Sequence, residues 1–95
     1  MVEEVLKITS KYKQHPQFEH YVQGFKQYYE DVFNLLPQSK KTLDIGCAYG
    51  ILALMLKKRG DEVLASDMTA KYTNRKMFKD NNIDFIVNNI ETENL

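Results

Sequence analysis

The chain has few of the residues that define disulfide-rich, membrane or nucleic-acid-binding proteins. Its 95 residues include a single cysteine, Cys47, which excludes an internal disulfide framework. The chain has 13 Lys and Arg residues and 13 Asp and Glu residues, so its formal net charge is zero. This balance indicates neither a basic surface for nucleic acid nor a polybasic surface for anionic lipid. No apolar run approaches the length of a membrane span. Charge and hydropathy therefore predict neither a nucleic-acid nor a membrane partner.

The first residues also lack the pattern of a secretory signal, because Glu3, Glu4 and Lys7 interrupt the apolar positions. With 4 glycines, 2 prolines and a hydrophobic share of 43%, the composition is that of an ordinary globular domain with one core. We expect a soluble protein in the cytoplasm.

The most informative stretch is the segment 42–56. An apolar β-type run ends in a turn that holds Gly46 and Gly50, and a continuous apolar helical run follows at once. This order predicts a strand, a tight loop and a helix N-terminus. Because glycine lacks a Cβ and the first N–H groups of a helix are free, such a loop can cradle a ligand.

The remaining periodicities predict one structural unit with two regions. A helical region, 1–37, precedes a βαβαβ unit, 38–95, whose three strands we expect to be parallel. The predicted later elements are a helix over 50–59, a strand over 62–67, a helix over 69–80 and a strand over 84–88.

The helical region is dominated by a stripe of aromatic and aliphatic residues that ends at Pro37. The stripe consists of Phe18, Tyr21, Val22, Phe25, Tyr28, Tyr29, Val32, Phe33 and Leu36. One interpretation places these side chains in the core. The alternative is that one or two tyrosines near the start of the helix reach over a ligand. We expect His15 and His20 to lie at the surface.

Asp67 follows the second predicted strand, 21 positions after Gly46. In a βαβ unit this spacing places a carboxylate at the carboxyl end of the second strand, where it can accept hydrogen bonds from a ribose diol. The alternative is that Asp67 caps the helix predicted over 69–80. The cations of that helix, Lys71 among them, are predicted to be solvated and are assigned no ligand.

The glycine spacing excludes two common phosphate sites. Ala48 and Ile51 stand where the dinucleotide fingerprint G-x-G-x-x-G requires glycine, and the Gly-Lys pair of a P-loop is absent. The run Leu43-Asp44-Ile45-Gly46-Cys47-Ala48-Tyr49-Gly50 instead resembles motif I, D-x-G-x-G-x-G, of the Rossmann-like S-adenosylmethionine (SAM)-dependent methyltransferases. Ala48 replaces the middle glycine, and we expect it to have an ordinary negative φ, because a Cβ is strained at positive φ.

The resemblance implies a role for each matching residue. Asp44 would hold the methionine amino group, the loop from Gly46 through Cys47 and Ala48 to Gly50 would pass under the methionine and sulfonium, and Asp67 would bind the ribose. Met68 would lie against the adenine, although an isolated Met is more often core. Cys47 itself is a small buried residue in the alternative interpretation, with no neighbouring base to activate it.

The end of the third predicted strand resembles the third motif of the same family. Asn89 stands where an acid commonly holds the adenine amino group, and the backbone N–H of Ile90 would contact the ring. An amide oxygen can accept that hydrogen bond without a charge.

The resemblance also implies what the chain would lack. In this family the chain continues into a fourth strand beside the first, and that half supplies most acceptor-binding residues. We therefore expect an incomplete Rossmann-like fold with an open edge at the first strand and a bare sheet face. Both features predict a homo-oligomer or a domain-swapped assembly, or else a fragment of a longer enzyme.

Two functions remain open at this point. The first is the SAM-binding N-terminal portion of a methyltransferase that acts on an unidentified acceptor, needs no metal and is inactive without the missing half. The alternative is a non-catalytic assembly or binding module with a vestigial ligand loop. A nicotinamide-dependent enzyme ranks below both because the glycine spacing fails.

Overall fold

The computed structural model describes residues 1–88, which form four helices and three strands. In chain order these are α1 (Val2–Thr9), α2 (Phe18–Leu35), β1 (Lys41–Ile45), α3 (Ile51–Arg59), β2 (Glu62–Asp67), α4 (Arg75–Asp80) and β3 (Asp84–Val87). Within this part of the chain, none of the helices has the length and hydrophobicity to span a membrane.

The strands form one parallel sheet in the order β1-β2-β3. Leu43 of β1 pairs with Leu64 of β2, which pairs with Asp84 of β3. The predicted α/β class with three parallel strands and connecting helices is confirmed. Parallel neighbours bring the carboxyl ends of all three strands to one edge of the sheet, so the residues that follow each strand lie close together.

Helix α3 lies at the centre of the core. Ile51, Leu54, Met55 and Leu56 are all buried, as expected for a helix that contacts α1 and α2 on one side and the sheet on the other. Its last turn contains three cations, and Gly60 adopts a φ of 113° immediately after it. The helix therefore ends where its basic last turn and the following glycine predict.

Helix α4 is shorter than predicted, because it begins at Arg75 rather than Thr69. Asn74 is its N-cap and accepts a hydrogen bond from the Met77 N–H at 2.9 Å. The preceding segment is held in turns by threonine hydroxyls, since Thr69 Oγ1 accepts from the Lys71 N–H at 3.1 Å. Such side-chain bonds compete with helix formation and explain the late start.

The aromatic stripe of α2 is only partly core. Phe18, Val22 and Tyr29 are buried, whereas Phe25 is 44% exposed and Tyr28 is 59% exposed. Helix α2 has 18 residues, whereas α1 has 8 and α3 has 9. The interpretation that places the whole stripe in the core therefore holds for only part of it.

The sheet has one covered face and one open face. Leu43, Ile45, Leu64 and Ile86 are between 38% and 51% exposed, and they lie on the face opposite α3. Among residues 1–88, β1 pairs only with β2, so its other edge has unpaired N–H and C=O groups. The predicted bare face and open edge are therefore present in the described part of the chain.

Arg59 joins the end of α2 to the start of the sheet. Its Nη1 donates to the Leu36 carbonyl at 2.8 Å and its Nη2 to the Pro37 carbonyl at 3.1 Å. The same guanidinium forms an ion pair with the buried carboxylate of Asp61 at 2.7 Å, which also accepts from Thr42 Oγ1 at 2.8 Å. The hydrogen bond from Arg59 is the main reason that the pKa of Asp61 is lowered.

Candidate functional site

The loop between β1 and α3 alternates between ordinary and left-handed backbone. Gly46 has a φ of 74°, Ala48 a φ of 47° and Gly50 a φ of 86°. The prediction that Ala48 has a negative φ was wrong. All three positions at which the methyltransferase motif has glycine adopt a conformation that favours glycine.

Hydrogen bonds on both sides of Ala48 explain its conformation. Its N–H donates to Asp67 Oδ2 at 2.8 Å, and its carbonyl accepts from Thr73 Oγ1 at 2.6 Å. The N–H groups of Gly46 and Cys47 both donate to the Ser66 carbonyl, at 2.8 and 2.9 Å. These bonds fix the loop between β1 and β2, and they offset the cost of a Cβ at positive φ.

Ala48→Gly is expected either to leave the free energy of unfolding unchanged or to raise it by up to about 1 kcal/mol. Relief of the left-handed alanine contributes about 1–2 kcal/mol, and the greater entropy of glycine in the unfolded chain offsets about 0.4–1 kcal/mol of it. Urea unfolding measures the difference. Ala53→Gly in the buried middle of α3 is the matched control and should destabilise by about 1 kcal/mol; equal losses in both variants would contradict the left-handed strain at Ala48.

Asp44 lies on the covered sheet face near the carboxyl end of β1, with its Oδ2 atom buried and without a hydrogen-bond partner among residues 1–88. Burial, followed by the negative charge of Asp67, raises the pKa of Asp44 to about 6. Tyr29 of α2 is close enough for the Asp44 charge to contribute to its raised pKa, after burial and a hydrogen bond with Tyr21. An unpaired buried carboxylate is costly, and a cationic ligand group would remove that cost.

Asp67 is at the carboxyl end of β2, as predicted, but it does not cap a helix. Asn74 caps α4 instead. Besides the bond to Ala48, the Asp67 carboxylate accepts weakly from the Thr69 N–H at 3.4 Å. A carboxylate has about four acceptor positions, so Asp67 can position the loop and still accept hydrogen bonds from a ligand.

Asn88, which follows β3, adds a third acceptor to this edge. Its Oδ1 atom is buried without a partner in the described part of the chain, and its backbone N–H donates to the Asp67 carbonyl at 2.8 Å. The sequence analysis assigned the adenine contacts to the next two residues, Asn89 and Ile90, instead. Asn89 and Ile90 lie outside the described residues. The signal that could have identified Asn88 is its position directly after the last apolar strand residue.

The other predicted site residues differ in their surroundings. Met68 is 59% exposed beside the sheet edge, where it is available to a ligand and does not belong to the core. Cys47 is buried, and burial together with the charge of Asp44 raises the pKa of its thiol to about 12. A thiol with so high a pKa is not a nucleophile at neutral pH, so Cys47 acts through its backbone in the loop.

A cluster of aromatic rings surrounds Tyr49 of the loop. The ring centroids of Tyr21 and Phe18 lie 4.9 and 5.4 Å from that of Tyr49, and the Tyr72 centroid lies at 5.5 Å. His15 packs edge-on against Tyr72 at 4.9 Å and is half-buried, whereas His20 is exposed. The start of α2 therefore contacts the loop, through Tyr21.

The fold and this edge together define an α/β protein with a three-stranded parallel sheet and a glycine-containing loop flanked by hydrogen-bond acceptors. Within the described residues, no group of three or more His, Cys, Asp or Glu side chains is placed to hold a metal ion. No protein-family model, curated protein or solved structure matches the chain significantly. The function is therefore proposed from the geometry of the site and from the motif.

Proposed function

We propose that the chain binds SAM at the carboxyl edge of its sheet, as the cofactor-binding portion of a methyltransferase. The observation that carries the proposal is the set of acceptors at this edge. Asp44 Oδ2 and Asn88 Oδ1 are buried and unpaired among residues 1–88, and the Asp67 carboxylate lies on the strand between them. Buried polar atoms without partners are rare in proteins and call for an explanation.

SAM presents three hydrogen-bond donors that match these three acceptors. Its ammonium group would pair with Asp44, its ribose hydroxyls with Asp67, and its adenine amino group with Asn88. The backbone of Gly46 to Gly50 would then pass beneath the sulfonium, where a side chain at the glycine positions would obstruct the ligand. A third buried oxygen without a partner among residues 1–88, Oε1 of Gln14, belongs to a side chain whose amide contacts Met77 and has no part in this match.

Methyl transfer needs little acid–base chemistry from the protein. The sulfonium is an activated donor, so the protein contributes chiefly proximity and in-line orientation of the acceptor. In this proposal the chain holds the donor with its acceptors and loop, and no metal is required. The proposal retains the cytoplasmic location predicted from the sequence.

Asp67→Asn is expected to weaken SAM binding by about tenfold while leaving the chain folded. The asparagine Oδ1 can still accept from the Ala48 N–H, whereas the charge that strengthens bonds to the ribose hydroxyls is lost. Calorimetric titration with SAM, S-adenosylhomocysteine and 5′-methylthioadenosine measures the effect, because all three ligands contain the ribose.

The matched control is Asp84→Asn, which removes an exposed carboxylate from the opposite sheet face and should leave all three affinities unchanged. An Asp67→Asn chain that binds the three ligands as tightly as the unmodified chain would contradict the ribose role. No saturable SAM binding by a folded unmodified chain would overturn the proposed function.

The bare sheet face favours a second candidate, a non-catalytic assembly module. Its apolar side chains and the open β1 edge are the features through which a homo-oligomer or a domain-swapped assembly would form. Sedimentation in the titration buffer distinguishes the candidates. A stable oligomer that binds no SAM would support the assembly module, whereas SAM binding by the monomer would support the enzyme.

A further inference from the structure

An aromatic cavity opens directly beside the glycine loop. Its volume is about 460 Å³, and Ala48 and Tyr49 of the loop form part of its wall. Tyr21 from α2, Tyr72 from the segment after β2, and His15 complete the aromatic lining. A volume of this size is typical of small-molecule sites, and the shared Ala48 places it next to the position proposed for the sulfonium.

A basic cavity adjoins the aromatic one. It has a volume of about 470 Å³ and shares His15, Lys71 and Tyr72 with its neighbour, and it adds Lys13 and Arg75. No Asp or Glu lines either cavity within residues 1–88. In a chain whose acids and bases balance at 13 each, three cations without an acid form a locally positive cleft.

Tyr49 is buried, and the half-buried rings of Tyr21 and Tyr72 that contact it provide the accessible aromatic surface of the cavity. Tyr49 lies 5.5 Å from Tyr72 at an interplanar angle of 64°, and Tyr21 lies 4.9 Å from Tyr49 at 54°. The Lys71 ammonium lies 5.5 Å from the centroid of the Tyr72 ring and forms no ion pair within the described part of the chain. The cleft therefore joins aromatic surface to an exposed positive charge.

We propose that the two cavities form the binding site of the methyl acceptor, a planar aromatic molecule that bears an anionic group. The inference rests on the proposed function. The anionic group binds at Lys71, the ring packs against Tyr21 and Tyr72, and the accepting heteroatom points toward Ala48. Its lone pair forms the bond to the methyl carbon, the carbon–sulfur bond breaks with its electron pair remaining on sulfur, and the proton of an accepting hydroxyl leaves to water.

The first test titrates the full chain with 4-hydroxybenzoate, which has the ring, the anion and a distal hydroxyl. Two probes each lack one feature: 4-hydroxybenzamide has no charge, and cyclohexanecarboxylate has no aromatic ring. We expect saturable binding of 4-hydroxybenzoate below about 10 mM and binding weaker by about tenfold for each of the other probes. No binding of 4-hydroxybenzoate, or equal binding of the uncharged amide, would overturn the assignment.

Two variants locate the binding. Lys71→Gln and Tyr72→Leu should each weaken 4-hydroxybenzoate binding by about tenfold, whereas Lys40→Gln and Tyr28→Leu, at exposed positions outside both cavities, should not change it. Because Lys71 is exposed, its substitution tests the site even if the Tyr72 variant fails to fold. Equal losses in the cavity and control variants would contradict the location.

Competition separates this inference from the proposed function. Simultaneous binding of S-adenosylhomocysteine and 4-hydroxybenzoate supports an acceptor site, whereas mutual exclusion would assign the cleft to the cofactor and overturn the proposal. Cofactor binding without 4-hydroxybenzoate binding would overturn only the acceptor site. Binding of 4-hydroxybenzoate without any SAM binding would overturn both the methyltransferase and the acceptor role that depends on it.

Discussion

Gly50→Ala is expected to lower the free energy of unfolding by about 4 kcal/mol, the largest effect predicted for this chain. A left-handed alanine costs about 1–2 kcal/mol, and the backbone at Gly50 has a φ of 86°. The new Cβ would also overlap Cε1 and Cζ of the buried Phe78 ring, and overpacking of this kind costs about 1–3 kcal/mol. Small domains have only about 5–15 kcal/mol in total, so far-ultraviolet circular dichroism in urea should show a largely unfolded or marginal chain.

Gly24→Ala is the matched control for this substitution. Gly24 lies within α2, where an added Cβ would meet nothing within 4 Å, so alanine should stabilise the helix by about 0.5–1 kcal/mol. The double variant Gly50→Ala/Phe78→Leu should recover part of the loss, because the smaller side chain removes the overlap but not the strained φ. A Gly50→Ala chain as stable as the unmodified protein would contradict the described packing of the loop.

Asp44→Asn is expected to stabilise the folded chain at neutral pH by about 2 kcal/mol. The pKa of Asp44 is raised from 3.8 to about 6, so between these values the folded chain keeps a proton that the unfolded chain loses. The free energy of unfolding of the unmodified protein therefore falls as the pH rises through this window. Urea unfolding at several pH values measures the difference in free energy of unfolding between the two chains. Groups that titrate alike in both chains cancel in this difference, so its pH dependence reports on Asp44. A difference that does not change with pH would contradict the raised pKa.

The same substitution should weaken S-adenosylhomocysteine binding by about a hundredfold, because the carboxylate that would pair with the ligand ammonium is gone. The affinity for 5′-methylthioadenosine, which has no ammonium group, should remain unchanged. Binding of S-adenosylhomocysteine to the unmodified chain should also weaken below a pH of about 6, since a protonated Asp44 has no charge to offer. Equal losses for both ligands would contradict the assignment of Asp44 to the amino group.

Much of the fold is predictable because local signals agree with tertiary structure. The strand Glu62–Asp67 has the predicted bounds, and α3 starts within one residue of the prediction. Both are apolar runs bounded by residues with a clear structural preference, such as Gly50 and Gly60, so that hydrophobicity and turn chemistry favour the same ends. Asp67 was identified by its place at the end of such a run, whereas Asp44 was identified by the resemblance to motif I.

The features that were missed depend on contacts between distant parts of the chain. The positive φ of Ala48 is enforced by Asp67 and Thr73, 19 and 25 residues away. The aromatic and basic cavities likewise bring His15 and Tyr21 together with Lys71 and Tyr72. No periodicity encodes such neighbours, because periodicity specifies which face of one element is apolar and not which other element it meets.

The position of Arg59 has a consequence for how the chain unfolds. Its guanidinium binds the carbonyls of Leu36 and Pro37 and the buried carboxylate of Asp61. Arg59 therefore connects the helical region to the sheet at the predicted boundary between the two regions. Separating the two regions breaks both charge-assisted hydrogen bonds from Arg59 to the Leu36 and Pro37 carbonyls, so the two regions are expected to unfold together. Hydrogen exchange should therefore report one cooperative unit across residues 18–67, and a protease should find no preferred cut at the boundary after Pro37.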